Sequence, residues 1–215
     1  MPPIDKDNIL HTAEMYAHHG ALVVKKLTNN LVSGFQSLIE VDEDTKQAFF
    51  RDRGIACAKK GKHQQAVSLL APLHETNPDD HDVMIHLAMS YIKTGHEEGG
   101  IALLEKAIKD NKDDMRITSV LGLTYAQLEN HEKAIPLLKK AADASPEKFN
   151  LHYRLGVAYD NTGDHDSAIK AFKVALDLRP DEAKVLRSIG FAYEEKGDSD
   201  EALNYFKRAN ELAEL

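Results

Sequence analysis

From position 47 onward, apolar and polar positions recur as a block every 34 residues. Gly54, Gly122, Gly156 and Gly190 share one phase, with Ala88 at the slot between them. Three residues on stand Cys57, Tyr91, Tyr125, Tyr159 and Tyr193, and twelve on stand Ala66, Gly100, Ala134, Ala168 and Ala202. Then come Leu70, Leu104, Leu138, Phe172 and Phe206, next Leu73, Ala107, Ala141, Ala175 and Ala209, and last Pro78, Lys112, Pro146, Pro180 and Glu214. A large aromatic and a small residue in fixed register, punctuated by glycine and proline, predict a helix, a turn and a second helix in each unit. Such a unit cannot bury its apolar face alone, so neighbouring units must stack. The phase sets five units, at 47–80, 81–114, 115–148, 149–182 and 183–215.

Glycine within a helix costs about 1 kcal/mol relative to alanine, so Gly122, Gly156 and Gly190 need a reason. Close packing against Ala134, Ala168 and Ala202 of the partner helix is the expected one. Pro78, Pro146 and Pro180 each end a helical segment and lead into the next. Gly61, Gly95, Gly163 and Gly197 mark the turn inside a repeat, and Asp164 and Asp198 are placed to cap the second helix. Asp198 and Glu201 have capping-box spacing. The period and the Gly/Tyr/Ala/Phe/Pro order resemble the tetratricopeptide repeat (TPR) family, which implies an all-α, right-handed α-solenoid of helix-turn-helix repeats.

Residues 1–46 are less regular. Gly20 falls on the glycine slot, but Val23, Val32, Gln36 and Asp44 miss the others. Ile9, Tyr16, Val23, Leu27, Leu31 and Phe35 still recur at helical spacing, which predicts two helices split near Thr28 to Asn30. This degenerate repeat is either a solvating cap or a detachable arm. A second irregularity is the pair Gly99 and Gly100, with Lys112 in place of proline inside the polar string 110–114. Paired glycines are kink sites, so residues 47–109 and 115–215 either hinge on one another or form a slightly loose but ordinary stack.

Composition narrows the function classes. The 215 residues carry a net charge of −8, which argues against nucleic acid as a partner. No apolar run reaches the roughly 20 residues of a membrane helix, and MPPIDKDNIL lacks a signal-peptide pattern, so a cytoplasmic protein is expected. A single cysteine leaves no internal disulfide, and Cys57 fills a packing slot. His63, His131 and His165 share one repeat slot and read as structural. No phosphate loop, dinucleotide fingerprint, catalytic triad or metal-ligand spacing is present, so no enzymatic activity, cofactor or small-molecule substrate is expected.

In the TPR family the first helices of successive repeats line a concave groove, and the residue after each glycine slot faces it. By that resemblance the groove carries Ile55, Met89, Leu123, Val157 and Phe191, all apolar. Four residues earlier come Arg51, Ile85, Tyr153 and Arg187, with Arg116, Arg154 and Lys184 close by and Asp160 one turn on. An apolar spine edged with basic charge suits an amphipathic helix or an extended apolar segment with acidic groups.

The segments YAHHG at 16–20, RDRGI at 51–55, YIKTG at 91–95, VLGLTY at 120–125 and RLGVAYD at 154–160 go beyond the generic repeat. They resemble a family of magnetosome-associated TPR proteins of magnetotactic bacteria. The resemblance implies a hook-shaped homo-oligomer that coats the magnetosome membrane from the cytoplasm and holds other magnetosome membrane proteins, with residues 1–46 as the self-assembly arm. The competing reading is a monomeric peptide-binding adaptor or cochaperone.

Overall fold

A computed structural model of the chain describes residues 14–17, 42–111 and 113–213. Ile9, Val23, Leu27, Leu31 and Phe35 of the expected arm, and Lys112 of the expected hinge, lie outside the described residues. The chain divides into two compact units, Met1–His96 and Glu97–Leu215. The division falls one helix ahead of the 110–114 string where the sequence places the joint.

The first unit holds α1 (Glu43–Lys59), α2 (His63–Thr76) and α3 (His81–Lys93). Helix α2 packs against both its neighbours, and α1 also touches α3. Asp42 opens α1 by accepting the Thr45 N–H at 2.8 Å, so the helix starts ahead of the predicted position 47. A helical turn at 14–17 lies against this unit: Met15 is buried, Tyr16 is exposed, and Glu14 pairs with Arg53 of α1.

The second unit holds α4 (Glu97–Asp110), α5 (Met115–Gln127), α6 (His131–Ala144), α7 (Phe149–Asn161), α8 (His165–Leu178), α9 (Ala183–Glu195) and α10 (Ser199–Ala213). Each helix packs on its sequence neighbour, except that α4 is joined only forward, to α5, within the unit. Helix α7 also touches α5 and α9, which is the inner layer expected of stacked hairpins. Tyr153, Phe172, Val185, Leu186 and Ile189 form one buried cluster across α7, α8 and α9, closed by Ala209 of α10. Gly99 and Gly100 occupy the first turn of α4, which runs unbroken to Asp110, so they do not form the interior kink expected of the pair.

The hairpin turns repeat atom by atom. Gly61, Gly95, Gly163 and Gly197 have φ of 75°, 83°, 82° and 85°, and the next residue donates its N–H to the carbonyl of the Cys/Tyr slot, as in Asp164 to Tyr159 at 3.0 Å. This is the Schellman closure of a helix, which needs the left-handed conformation that glycine adopts freely. The third repeat has Glu129 at that slot, held at φ 59°, and Asn130 still bonds Tyr125 at 2.9 Å.

The helical glycines meet a different partner from the one expected. A methyl at Gly156 would stand 2.5 Å from the Phe172 ring, at Gly190 2.5 Å from Phe206, and at Gly122 3.1 Å from Leu137 and the Leu138 backbone. Gly54 likewise abuts Leu70. Thus glycine makes room for the bulky slot of the second helix, not for Ala134, Ala168 or Ala202.

Candidate functional site

The residues expected along the inner helices have separate fates, and each unit is taken by itself. In the first unit, Arg51 of α1 reaches the start of α3. Its Nε donates to Asp80 Oδ2 at 2.6 Å, and its Nη2 donates to Asp80 Oδ1 at 3.2 Å and to Asp82 Oδ2 at 3.1 Å. Asp80 is also the N-cap of α3, accepting from the N–H groups of Asp82 and Val83 at 3.0 and 3.1 Å. Burial alone would raise the Asp80 carboxyl pKa. The Arg51 hydrogen bond and charge, with the two N–H donors, outweigh burial and hold it below the ordinary carboxylate value. The same pairing raises Arg51 above its usual value.

This corrects the reading of Arg51 as an open groove charge: it ties α1 to α3, at the edge of a hollow of about 230 Å3 that Gln47, Leu73 and Asn77 also line. Ile85 is buried with the α3 core, so it too leaves the expected surface. Ile55 is half-buried and Met89 is exposed.

In the second unit, Leu123 and Val157 are half-buried, while Phe191 is 54% exposed. Tyr153 is buried rather than lining a surface: its ring stacks on Phe149 at 6.0 Å and meets Phe172 at 5.7 Å. Lys184 covers it from outside, with Nζ 4.7 Å from the ring centroid. Arg116 folds back on the Asp114 cap at 3.1 Å. Burial would raise Asp114, but the side-chain and backbone donors of Arg116 prevail and lower it. Asp160 accepts from His165 Nδ1 at 2.8 Å. Arg154, half-buried, and Arg187, exposed, have no ion-pair partner among the described residues.

The three slot histidines diverge as well. His63 Nδ1 lies 3.5 Å from Ser90 Oγ, His165 pairs with Asp160, and the buried Nδ1 of His131 has no partner among the described residues. No group of three or more His, Cys, Asp or Glu among the described residues could hold a metal ion.

Sequence reading missed a linked series of rings and cations that joins α8, α9 and α10. Lys173 Nζ donates to the Tyr193 hydroxyl at 3.0 Å, Tyr193 stacks on Tyr205 at 5.6 Å, and Arg208 lies 5.3 Å over the Tyr205 ring. Tyr125 in the same slot donates its hydroxyl to Glu105, and burial together with that carboxylate pushes its pKa to about 12. The signal was the Tyr slot itself: a buried or half-buried phenol needs a partner for its hydroxyl.

Comparison with known proteins places these features. One tetratricopeptide-repeat family model matches residues 120–183 and 153–214, and a second matches residues 58–122. The magnetosome protein MamA of Paramagnetospirillum magnetotacticum is 47% identical over 80 residues, and that of Magnetospirillum gryphiswaldense 45%; the match spans 37% of this chain and 37% of each of those relatives. A solved structure of MamA from AMB-1 is 48% identical, with 78% of this chain and 98% of that chain covered and a TM-score of 0.73. A MamA structure from MSR-1 is 47% identical, with 79% and 97% covered and a TM-score of 0.75.

Proposed function

Because the chain belongs to the MamA family of tetratricopeptide-repeat proteins, we propose that it is a non-enzymatic scaffold that self-associates on the cytoplasmic face of the magnetosome membrane and organises other magnetosome proteins there. The observation that carries this reading is the inner row of the second unit. Phe191 stands open, Leu123 and Val157 in the same repeat slot are half-buried, and the cations Arg154 and Arg187, one turn ahead of Val157 and Phe191, have no ion-pair partner among the described residues. An apolar row with uncommitted positive charge fits an apolar helix with acidic groups. No helix among the described residues is long and apolar enough to cross a membrane, which accords with peripheral attachment.

In this reading the arm expected at residues 1–46 is shortened to 1–41, and it gives up the Glu14–Arg53 pair when the neighbouring protomer's inner row receives it. Such a contact is heterologous, so the assembly forms rings or polydisperse particles rather than a clean dimer. The arm ends before Asp42, because Asp42 caps α1. Size-exclusion chromatography with light scattering tests the idea on three proteins: the full chain, a chain lacking residues 1–41, and Arg187→Glu. The full chain elutes as large particles. The truncated chain is a folded monomer, and Arg187→Glu gives smaller particles. A truncated chain that still forms large particles would overturn the docking-arm reading, and an unchanged Arg187→Glu would remove the inner row from the contact.

A further inference from the structure

Two junctions of the second unit build the same slots with opposite charge. Where α4, α5 and α6 meet, the Tyr125 hydroxyl donates to the Glu105 carboxylate. Lys133 completes a trio there, with Nζ 3.9 Å from that carboxylate and 5.0 Å from the ring centroid. Two repeats on, where α8, α9 and α10 meet, the slots of Glu105, Tyr125 and Lys133 hold Lys173, Tyr193 and Glu201. The acceptor of the first junction has become a donor: Lys173 Nζ donates to the Tyr193 hydroxyl oxygen at 3.0 Å.

A second phenol joins this junction and no earlier one of the unit. Tyr205 stands in the slot of Leu137 and Ala171, and its ring stacks on Tyr193 at 5.6 Å. The Tyr193 hydroxyl, foremost, holds the Lys173 ammonium above the ordinary lysine pKa against burial, and Tyr205 adds to the effect, so both phenols stand beside one cation. Arg208 lies 5.3 Å over the Tyr205 ring and brings a further positive charge.

The cluster has donors and lacks an acceptor. Because the Tyr193 oxygen accepts from Lys173, its O–H is left to donate. No carboxylate or carbonyl among the described residues accepts from Tyr193, Tyr205, Lys173 or Arg208. The acidic groups close by are engaged elsewhere or turned away. Asp166 and Asp198 pair with Lys196 at 2.7 and 3.6 Å, while Asp177 and Glu201 form no ion pair with Lys173.

We propose that Lys173, Tyr193 and Tyr205 form a carboxylate-binding site, which an Asp or Glu side chain from an acidic segment of another protein fills as Glu105 fills the Tyr125 junction. One ammonium and two phenol O–H groups donate to the incoming carboxylate, and charge-assisted bonds of this kind are the strong ones. Arg208 favours further acidic groups on the same segment. The cluster shares no residue with the inner row, so it stands or falls apart from the self-assembly reading.

The test follows the anisotropy of fluorescently labelled hexaglutamate as the full chain is added. Hexaglutamate binds saturably and labelled hexaglutamine does not. Lys173→Met weakens binding about tenfold and Tyr205→Phe about threefold or more, while Lys170→Met, the same loss of charge one turn away on α8, changes it less than about twofold. Lys173→Glu rebuilds the Glu105 arrangement, so it abolishes binding without lowering Tm. Equal losses in Lys173→Met and Lys170→Met would reduce the binding to unspecific attraction and overturn the proposal. Binding that appears only in Glu201→Gln overturns it too, since the chain's own carboxylate would then fill the site. So does the absence of saturable binding at millimolar chain, whether or not phosphatidylglycerol vesicles take up the chain through Lys173.

Discussion

Replacing Arg51 by methionine removes three charge-assisted hydrogen bonds that join α1 to the start of α3 while keeping much of the apolar stem. The Arg51 side chain is 35% exposed and that of Asp80 17%, so solvent screens the pair in part. Hydrogen bonds to charged groups contribute about 1.5–3 kcal/mol and fully exposed ion pairs below about 1 kcal/mol, which puts this half-covered cluster near 2 kcal/mol. For a chain of this size that loss lowers Tm by about 4–8 °C. Asp80→Asn is the complementary change, because asparagine caps a helix almost as well as aspartate and so removes the ion pair while sparing the cap. A double-mutant cycle with both changes, followed by urea unfolding, should return a coupling energy of about 1.5 kcal/mol.

The coupling has a pH signature. The folded Asp80 pKa lies below its unfolded value of about 3.9, so the contribution is fully present above that pH and is lost as pH falls through the folded value. The gap between wild type and Asp80→Asn should narrow below about pH 4. A coupling under about 0.3 kcal/mol, or a gap that does not change with acid, would refute the clamp. Arg51→Glu, with its new charge beside Asp80 and Asp82, should destabilise the first unit further, so its effect on assembly size reports folding as well as contact.

Three further changes test the repeat geometry by urea unfolding. Glu129→Gly should stabilise by about 0.5–1 kcal/mol, since a left-handed non-glycine residue costs about 1–2 kcal/mol and glycine gives back part of that as unfolded-chain entropy; no gain would mean that Glu129 is unstrained at φ 59°. Gly156→Ala should destabilise by about 1–3 kcal/mol, because the methyl meets the buried Phe172 ring at 2.5 Å, and a stabilised variant would show that the ring moves aside freely. Gly99→Ala should stabilise by about 0.4–1 kcal/mol, as its methyl enters open space in the first turn of α4, and a loss there would point to a contact formed only in assembly.

The phase of the repeat told which positions are equivalent but not which positions meet. The turn at Gly61 carries that second piece of information. In an antiparallel hairpin centred there, residue 54 faces residues 69 and 70, as the Gly54 contacts with Leu69 and Leu70 show. Pairing glycine with Ala66 misplaces the register by one helical turn, and that is the error in the glycine reading. The caps at Asp80 and Asp114 were equally open to reading, since both stand just ahead of a predicted first helix. Arg51 was not. Its partners flank the start of the next helix, Asp80 at the end of its own repeat and Asp82 in the following one, and a long flexible cation can reach several carboxylates, so spacing alone does not choose between them.

Function in a repeat array resides in departures from the repeat, and the slot of Arg51 shows how few departures remain available for binding. Arg51 is spent on Asp80, Ile85 is in the core, the Ser119 hydroxyl donates to the Met115 carbonyl at 2.6 Å, and Tyr153 is stacked between Phe149 and Phe172. Of the five equivalent residues, only Arg187 is exposed and without a partner among the described residues, and four residues on stands Phe191, the most exposed member of the apolar row. Charge and apolar surface that earlier repeats consume in holding themselves together are thus released together in the last one. In the second unit, uncovered charge and apolar surface therefore fall together one turn apart on α9, at Arg187 and Phe191. A ligand on the inner row should alter the surroundings of the Phe191–Phe206 ring pair, while the buried Tyr153–Phe172 contact is left unchanged.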